Sequence, residues 1–201
     1  EEIDPRFFEH GGRLDIARLA YPHAPEPWID LSTGISPWSY PWPDDKGQVR
    51  PLPDAGALEN LISMARSAYR APAGSTVTAL PGTDLGLSLL PWLFRTPQRV
   101  AILAPAYSGH RTAWEAGGHS VSEIKSLDRL GSAAVAVVVN PGNPDGRFVP
   151  HKELAAAVPL LRRRNGLLVV DEAFADAEDG QALLPAVSRL DTTLVLRSFG
   201  K

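Results

Sequence analysis

The sequence predicts an α/β protein: a three-layer α/β/α domain with a mostly parallel sheet, preceded by an extended N-terminal arm. Two observations carry this prediction. From about residue 76 onward, short apolar runs rich in β-branched residues alternate with helical patterns, as in a parallel sheet covered on both faces. Before residue 54, proline, glycine and aromatic residues recur with no sustained period of either kind. We therefore divide the chain into an arm, residues 1–53, and a large domain, residues 54–201.

The elements follow from local pattern. One short helix is expected in the arm near Ile16, and a second helix runs from an N-cap at Asp54 to about Arg70, with apolar residues on one face. Each predicted strand is a short apolar run, and each later helix begins after a turn. Strands are expected at 76–80, 100–103, 120–124, 134–139, 167–170 and 194–196, and further helices at 84–94, 108–116 and 153–163. The arginines at 162–164 are predicted to form a solvated helix end.

Composition excludes several classes of protein. The 201 residues include 44% hydrophobic and 21% charged residues, which is ordinary for a globular domain. The formal net charge of -3 argues against a nucleic-acid binder. With no cysteine, no apolar run near the roughly 18 residues of a membrane span and no signal-peptide pattern at its start, the chain is expected to be cytoplasmic.

The polar turns that follow the predicted strands should gather at one edge of the sheet, because parallel strands end at the same edge. Gly82, Thr83 and Asp84 open a helix, where free amides and a hydroxyl suit a phosphate; Thr83 as a plain N-cap explains the same residues. Neither a Walker loop nor a G-x-G-x-x-G motif is present, so a nucleotide is not the first choice. Tyr107 has two interpretations, a ring that stacks on a planar ligand and an ordinary half-buried tyrosine.

Two further strand ends carry polar side chains. In the run N-P-G-N-P-D-G, residues 140–146, two prolines fix the backbone while Asn143 offers an amide donor. Asp171 ends an apolar strand, where an ionised carboxylate needs a partner. A protonated heterocyclic nitrogen would serve, and so would a metal bound with Glu172, although no histidine spacing supports a metal site.

Lys201 follows the last predicted strand in the turn S-F-G-K. A lysine buried beside other cationic groups loses part of its preference for the charged form and can attack an aldehyde to form a Schiff base. Considered alone, it is more simply a solvated loop residue.

Taken in order, these motifs resemble the fold-type I pyridoxal-phosphate enzymes of the aspartate aminotransferase superfamily, over roughly residues 30–201. The resemblance implies pyridoxal 5'-phosphate as cofactor, covalently attached to Lys201, with Asp171 paired to the ring nitrogen as the second catalytic residue. It implies that Asn143 donates to the phenolic oxygen and that Tyr107 stacks on the ring, while the cofactor phosphate meets the helix start and a serine. The full implied cofactor-binding set is Gly82, Thr83, Asp84, Tyr107, Asn143, Asp171, Phe174, Ser198 and Lys201.

Phe174 departs from the superfamily pattern, because many members have a tyrosine there that donates to the phenolic oxygen. The departure indicates a side branch. Within the arm, H-G-G at 10–12 and D-L-S-T-G-I-S-P at 30–37 resemble the threonine-phosphate decarboxylases of cobalamin biosynthesis, neighbours of histidinol-phosphate aminotransferase. That resemblance implies a substrate site in the arm, formed by His10, Gly11, Ser32, Thr33 and Gly34.

The implied function is pyridoxal-phosphate-dependent decarboxylation of L-threonine O-3-phosphate to (R)-1-amino-2-propanol phosphate by a homodimer. The α-carbon bond held perpendicular to the cofactor ring is the one that breaks, so the core motifs do not distinguish decarboxylation from transamination. A histidinol-phosphate-type aminotransferase and a non-catalytic binding domain remain as alternatives. Family members continue beyond the lysine into a small domain, so we expect this chain to hold the arm and most of the large domain.

Overall fold

The computed structural model describes residues 11–36, 38, 40–41, 55–177, 180–187 and 192–199. The described residues divide into two compact units, one within residues 11–41 and the other within residues 55–199. The first contains helix α1, Leu14–Ala20. The helices of the second are α2 Ala55–Ala68, α3 Thr83–Leu89, α4 Ser108–Ala116 and α5 His151–Arg162, and its strands are β1 Arg99–Leu103, β2 Ser120–Ile124, β3 Val135–Val139, β4 Leu167–Asp171 and β5 Thr193–Leu196.

The five strands form one sheet in the order β2-β1-β3-β4-β5, and every neighbouring pair is parallel. The chain leaves β1 toward one edge of the sheet and leaves β3 toward the other. In sheets of this kind, ligands bind outside the carboxyl ends of the strands where the direction reverses. The topology therefore predicts a ligand-binding site at the loops that follow Leu103 and Val139.

The strands are apolar on both faces because helices cover both faces. Alternate residues such as Ala136 and Val138 pack with Leu154 and Leu161 of α5. Their neighbours in sequence, Val135 and Val137 among them, pack on the other side with Trp114 of α4 and Leu90. The α/β/α layering predicted from the sequence is confirmed, and the sheet is wholly parallel.

The predicted strand at 76–80 is wrong. Residues 76–80 pair with no strand in the described part of the chain and are mostly exposed; a bond from the Gly82 amide to the Leu80 carbonyl, 2.8 Å, turns the backbone instead. Alternating Thr and Val give strand propensity, but a strand also needs a hydrogen-bonded neighbour.

Two of the helix predictions need correction, and a third falls on a residue that the structure does not describe. The helix expected at 84–94 ends at Leu89 and continues as a 3-10 turn, Leu90–Leu93, since Pro91 has no amide hydrogen to extend the α-helical ladder. The arginine run is not wholly solvated, because Arg164 donates to the Ala133 and Gly131 carbonyls at 2.5 and 2.7 Å. The proposed N-cap Asp54 lies outside the described residues.

Among the helices of the described ranges, none is long and apolar enough to cross a membrane.

Candidate cofactor site

Asp171 is a buried carboxylate at the carboxyl end of β4, with 5% of its surface exposed. Its Oδ1 accepts from the Ala173 amide at 3.0 Å, and its Oδ2 lies 2.9 Å from His110 Nε2. In the part of the chain that the structure describes, no lysine or arginine forms an ion pair with it. A buried carboxylate with these partners fits a protonated aromatic nitrogen, which would supply the missing positive charge.

His110 is the site residue that the sequence prediction missed. It lies on α4, is fully buried, and is four residues before the equally buried Trp114. Since a carboxylate accepts, we assign an imidazole proton to Nε2. Nδ1 is buried with no hydrogen-bond partner among the described residues. The signal available in the sequence was the spacing of four residues from a core tryptophan, which places His110 on the same buried face of the helix. A histidine buried in this way needs a polar partner.

Tyr107 immediately precedes α4, and its ring meets that of His110 edge to face at 6.3 Å. Partial burial raises the pKa of the Tyr107 phenol, and the negative charges of Asp84 and Asp171 raise it further. The structure therefore brings three predicted site residues, Asp84, Tyr107 and Asp171, within electrostatic range of one another.

The two asparagines in the loop after β3 do different things. Asn140 is fully buried and pairs twice with the backbone of Val149: its Nδ2 donates to the carbonyl at 3.1 Å and its Oδ1 accepts from the amide at 2.8 Å. Asn143 lies half-buried further along the loop. Arg147 connects this loop to the one after β1 by donating to the Ala104 carbonyl at 2.9 Å. The loops on both sides of the switch point are thus held together.

Gly82 and Thr83 lie where α3 begins. Thr83 is not the N-cap that we predicted; it is the first helical residue, and Gly82 takes the cap position with φ at 95°. That backbone conformation favours glycine. Because glycine has no side chain, the start of α3 has no side-chain cap.

Glu172, next to Asp171, has both carboxylate oxygens engaged. Oε1 accepts from the Leu183 amide at 2.5 Å, and Oε2 forms an ion pair with Arg197 at 3.0 Å. Burial raises the pKa of Glu172 while these two donors oppose the rise. The metal alternative loses its second ligand here, because Glu172 is already satisfied, and the described residues contain no cluster of three metal-ligating side chains.

The two arm motifs lie against each other. A side chain at Gly11 would meet the Ser32 carbonyl oxygen at 2.1 Å, so glycine is required there. The Gly12 amide donates to Ser32 Oγ at 2.8 Å, and Ser32 in turn donates to Asp30 Oδ1 through both its hydroxyl, 2.5 Å, and its amide, 2.9 Å. These bonds lower the pKa of the Asp30 carboxyl.

The remaining predicted residues are placed as follows. Phe174 is half-buried in the turn after β4, Ser198 is half-buried after β5, and Thr33 and Gly34 are exposed in the arm. His10 and Lys201 lie outside the described residues. The roles assigned to all of these residues stay predictions.

Comparison with known proteins identifies the class. The family model for aminotransferase class I and II matches residues 57–201. The chain belongs to this family, whose members use pyridoxal phosphate.

Particular relatives are more similar still. The chain is 41% identical over 198 residues to a threonine-phosphate decarboxylase of Pseudomonas aeruginosa, with 96% of this chain and 57% of the relative covered. It is 36% identical to a threonine-phosphate decarboxylase of Sinorhizobium sp., covering 96% and 58%. A histidinol-phosphate aminotransferase of Mesorhizobium japonicum is 26% identical over 94% and 55%. The chain thus spans less than two thirds of the length of these relatives.

A solved structure shares the fold. The L-threonine-O-3-phosphate decarboxylase of Porphyromonas gingivalis matches with a TM-score of 0.59 at 17% identity, covering 70% of this chain and 44% of that one. The five-stranded parallel sheet is therefore that of the large domain of pyridoxal-phosphate transferases.

Proposed function

We propose that the protein is a pyridoxal-phosphate-dependent decarboxylase that converts L-threonine O-3-phosphate to (R)-1-amino-2-propanol phosphate in cobalamin biosynthesis. The observation that carries the proposal is the 41% and 36% identity to two threonine-phosphate decarboxylases over 96% of the chain. The buried pair of Asp171 and His110 supplies the physical support, because it presents an anionic acceptor without a cationic partner in the described part of the chain.

When bound, pyridoxal phosphate supplies an electron sink for charge that develops at the substrate α-carbon. In our proposal, Asp171 would hold the proton on the ring nitrogen, and two donors orient its carboxylate: the Ala173 amide on Oδ1 and His110 Nε2 on Oδ2. Protein dipoles thus prepare the site for a cationic ring before the ligand arrives.

The other predicted residues orient and exchange protons. Asn143 would donate to the phenolic oxygen, and Tyr107 would cover the ring. The Lys201 amine would hold the cofactor covalently and, once released, would deliver a proton to the α-carbon in place of the departing carboxylate. Gly82, Thr83 and Ser198 would contact the cofactor phosphate.

The substrate phosphate needs a second anion site. We assign it to the arm residues His10, Gly11, Ser32, Thr33 and Gly34, of which Gly11 and Ser32 are in contact. Ser32 already donates its hydroxyl and amide to Asp30, so phosphate binding there requires these bonds to be exchanged.

We also propose that the protein works as a homodimer. The apolar residues Leu58, Leu61 and Met64 of α2 are 48%, 41% and 63% exposed in the single chain, a pattern suited to burial against another surface. Light scattering during size-exclusion chromatography of the protein made from its complete gene should give twice the chain mass; a monomer mass throughout the accessible concentrations would contradict this.

The activity test separates decarboxylation from transamination. The purified protein, loaded with pyridoxal phosphate, is incubated with O-phospho-L-threonine with and without a keto acid. Release of carbon dioxide without keto acid is expected. Turnover that appears only when keto acid is added would replace the proposal with an aminotransferase. Covalent cofactor binding with no turnover in either arm, when histidinol phosphate is tested as well, would favour a binding domain.

A further inference from the structure

Arg197 lies at the end of β5, immediately before Ser198, with 8% of its side chain exposed. Its Nη1 donates to Glu172 Oε2 at 3.0 Å, and its Nη2 donates to Asp176. The guanidinium carbon lies 4.5 Å from the ring centre of Tyr69, which follows α2. We call these four side chains the Arg197 cluster: Tyr69, Glu172, Asp176 and Arg197.

The Arg197 cluster joins the segments that follow β4 and β5. Glu172 directly follows Asp171 at the end of β4, and its side chain is fully buried. Asp176 lies in the 3-10 turn Ala175–Ala177 of the same connection. Arg197 therefore bonds the segment after β4 to the segment after β5 through side chains, beyond the point where the last backbone pair, Asp171 with Leu196, ends the ladder.

The chemistry of the cluster requires arginine. A guanidinium is planar, presents several donors in a fixed fork and stacks on aromatic rings, so it can bridge two carboxylates and cover Tyr69 at the same time. A lysine keeps the charge but has one compact ammonium group and no planar face. A buried ion pair is also weak evidence for stability by itself, because desolvation offsets much of the attraction. A buried network whose net contribution to stability is small can still fix the geometry of the segments that it joins.

We propose that Arg197 is a positioning residue for the cofactor site. Through Glu172 and Asp176, it fixes the segment after β5 against the segment after β4. The first of these segments carries Ser198 and leads within four residues to Lys201, and the second directly follows Asp171. The inference rests on the proposed function. It assigns the cluster no contact with cofactor or substrate. Its consequence is that the covalent link at Lys201 and the pairing of Asp171 depend on one buried guanidinium.

Arg197→Lys is the main variant and Arg164→Lys is its control. Arg164 also uses two guanidinium nitrogens, which donate to the Ala133 and Gly131 carbonyls. It follows α5 and bonds to the segment before β3, so it lies at the amino ends of the strands, away from the candidate site. Glu172→Gln is the milder second variant, which keeps the side-chain volume but removes the charge. All three are made in the protein expressed from its complete gene.

Three readouts do not depend on turnover. Hydrogen exchange of the cofactor-free protein should be at least about tenfold faster in residues 171–177 and 193–199 for Arg197→Lys and Glu172→Gln, and unchanged there for Arg164→Lys. The fraction of chains trapped by borohydride at Lys201, and the pH titration of the visible absorbance, should shift in the two cluster variants only. Because the cofactor-binding groups after β4 and β5 are then displaced, kcat of the two cluster variants should fall about tenfold to a hundredfold while KM changes less.

The inference would be overturned if the Arg197→Lys protein matched the Arg164→Lys protein in hydrogen exchange, borohydride trapping and the pH titration of its absorbance. This holds whatever the thermal stability of the variant, because the cluster would then have a purely structural role. The proposed function fails differently: in that case the unchanged protein itself releases no carbon dioxide from O-phospho-L-threonine in the absence of a keto acid, or yields no borohydride-trapped adduct at Lys201. If Arg197→Lys does not fold, the same comparison is made with Glu172→Gln, whose agreement with the Arg164→Lys control would equally overturn the proposal.

Discussion

At the scale of single residues, the candidate site depends on how each polar atom is satisfied. Asp171 is buried and bonded to a backbone amide and an imidazole, whereas Glu172 beside it is buried and bonded to a guanidinium. These adjacent carboxylates therefore have different partners. Within the described part of the chain, Asp171 has no lysine or arginine partner, and Glu172 forms an ion pair with Arg197.

Asp171→Asn should keep the shape of the site but lose the anion that holds a proton on the cofactor ring. A charge-assisted hydrogen bond of about 1.5 to 3 kcal/mol corresponds to a loss of roughly tenfold to a hundredfold in kcat. Some cofactor should remain bound, because its phosphate and covalent contacts are elsewhere. Steady-state kinetics and cofactor titration check this, and kcat within about threefold of the unchanged protein, less than roughly 1 kcal/mol, would show that the pairing is wrong.

Ser32→Ala should raise the pKa of Asp30 toward its ordinary value of 3.8, because the Ser32 hydroxyl is the main cause of its lowering. A depressed carboxyl pKa in the folded arm means that ionised Asp30 stabilises the arm above pH 3.8. This stabilisation is lost as the pH falls through the lower folded value. NMR titration of the Asp30 carboxyl in the variant and the unchanged protein measures the shift, with Thr33→Ala as the control. Equal pKa values in the variant and the unchanged protein would contradict the assignment.

At the scale of elements, the loop after β3 has one asparagine with a structural role and one for which we propose ligand binding. Asn140 bonds to the backbone of Val149, and Asn143 lies half-buried three residues later. Both follow the same strand and precede a proline, so the contrast between them is a test of which one the fold requires.

Asn140→Ala should lower the free energy of unfolding by about 2 to 4 kcal/mol, because it leaves the buried amide and carbonyl of Val149 without partners. Asn143→Ala should leave this free energy within about 0.5 kcal/mol and weaken cofactor binding instead. Urea unfolding of the cofactor-free proteins and cofactor titration of the folded ones separate the two effects. The interpretation fails if Asn143→Ala is the more destabilising change.

At the scale of the whole molecule, parallel strand direction is what makes the site possible. All five strands end at one side of the sheet, where Asp171 is the last residue of β4 and Tyr107, Asn143 and Ser198 follow β1, β3 and β5. Helices on both faces bury the strands and leave that edge for chemistry.

Lys201→Ala should abolish the yellow colour of the cofactor-loaded protein, because the visible absorbance depends on the covalent link. The matched control is Lys152→Ala, which changes an exposed lysine on α5. Visible spectra and borohydride trapping followed by peptide mass analysis provide the measurement. Unchanged absorbance in Lys201→Ala near neutral pH would remove the assignment of this lysine.

The sequence by itself determined the order of the elements, the parallel sheet and the polar residues at strand ends. These features are local: an apolar run of four or five residues defines a buried strand, and a turn motif that follows it is adjacent in the chain. The alternation of strands and helices then implies that these turns share one edge. Only Thr76–Leu80, whose pattern is that of a strand, had no partner in the described structure.

Tertiary structure alone decided which polar atoms meet. The bonds of His110 with Asp171, of Arg197 with Glu172, and of Arg147 with the Ala104 carbonyl join residues 61, 25 and 43 positions apart. Periodicity indicates that a residue is buried, but it does not say which distant group lies opposite. Asn140 and Asn143 illustrate the same limit within one loop: both have the same side chain before a proline, and the close approach of Val149 gives one of them its structural role.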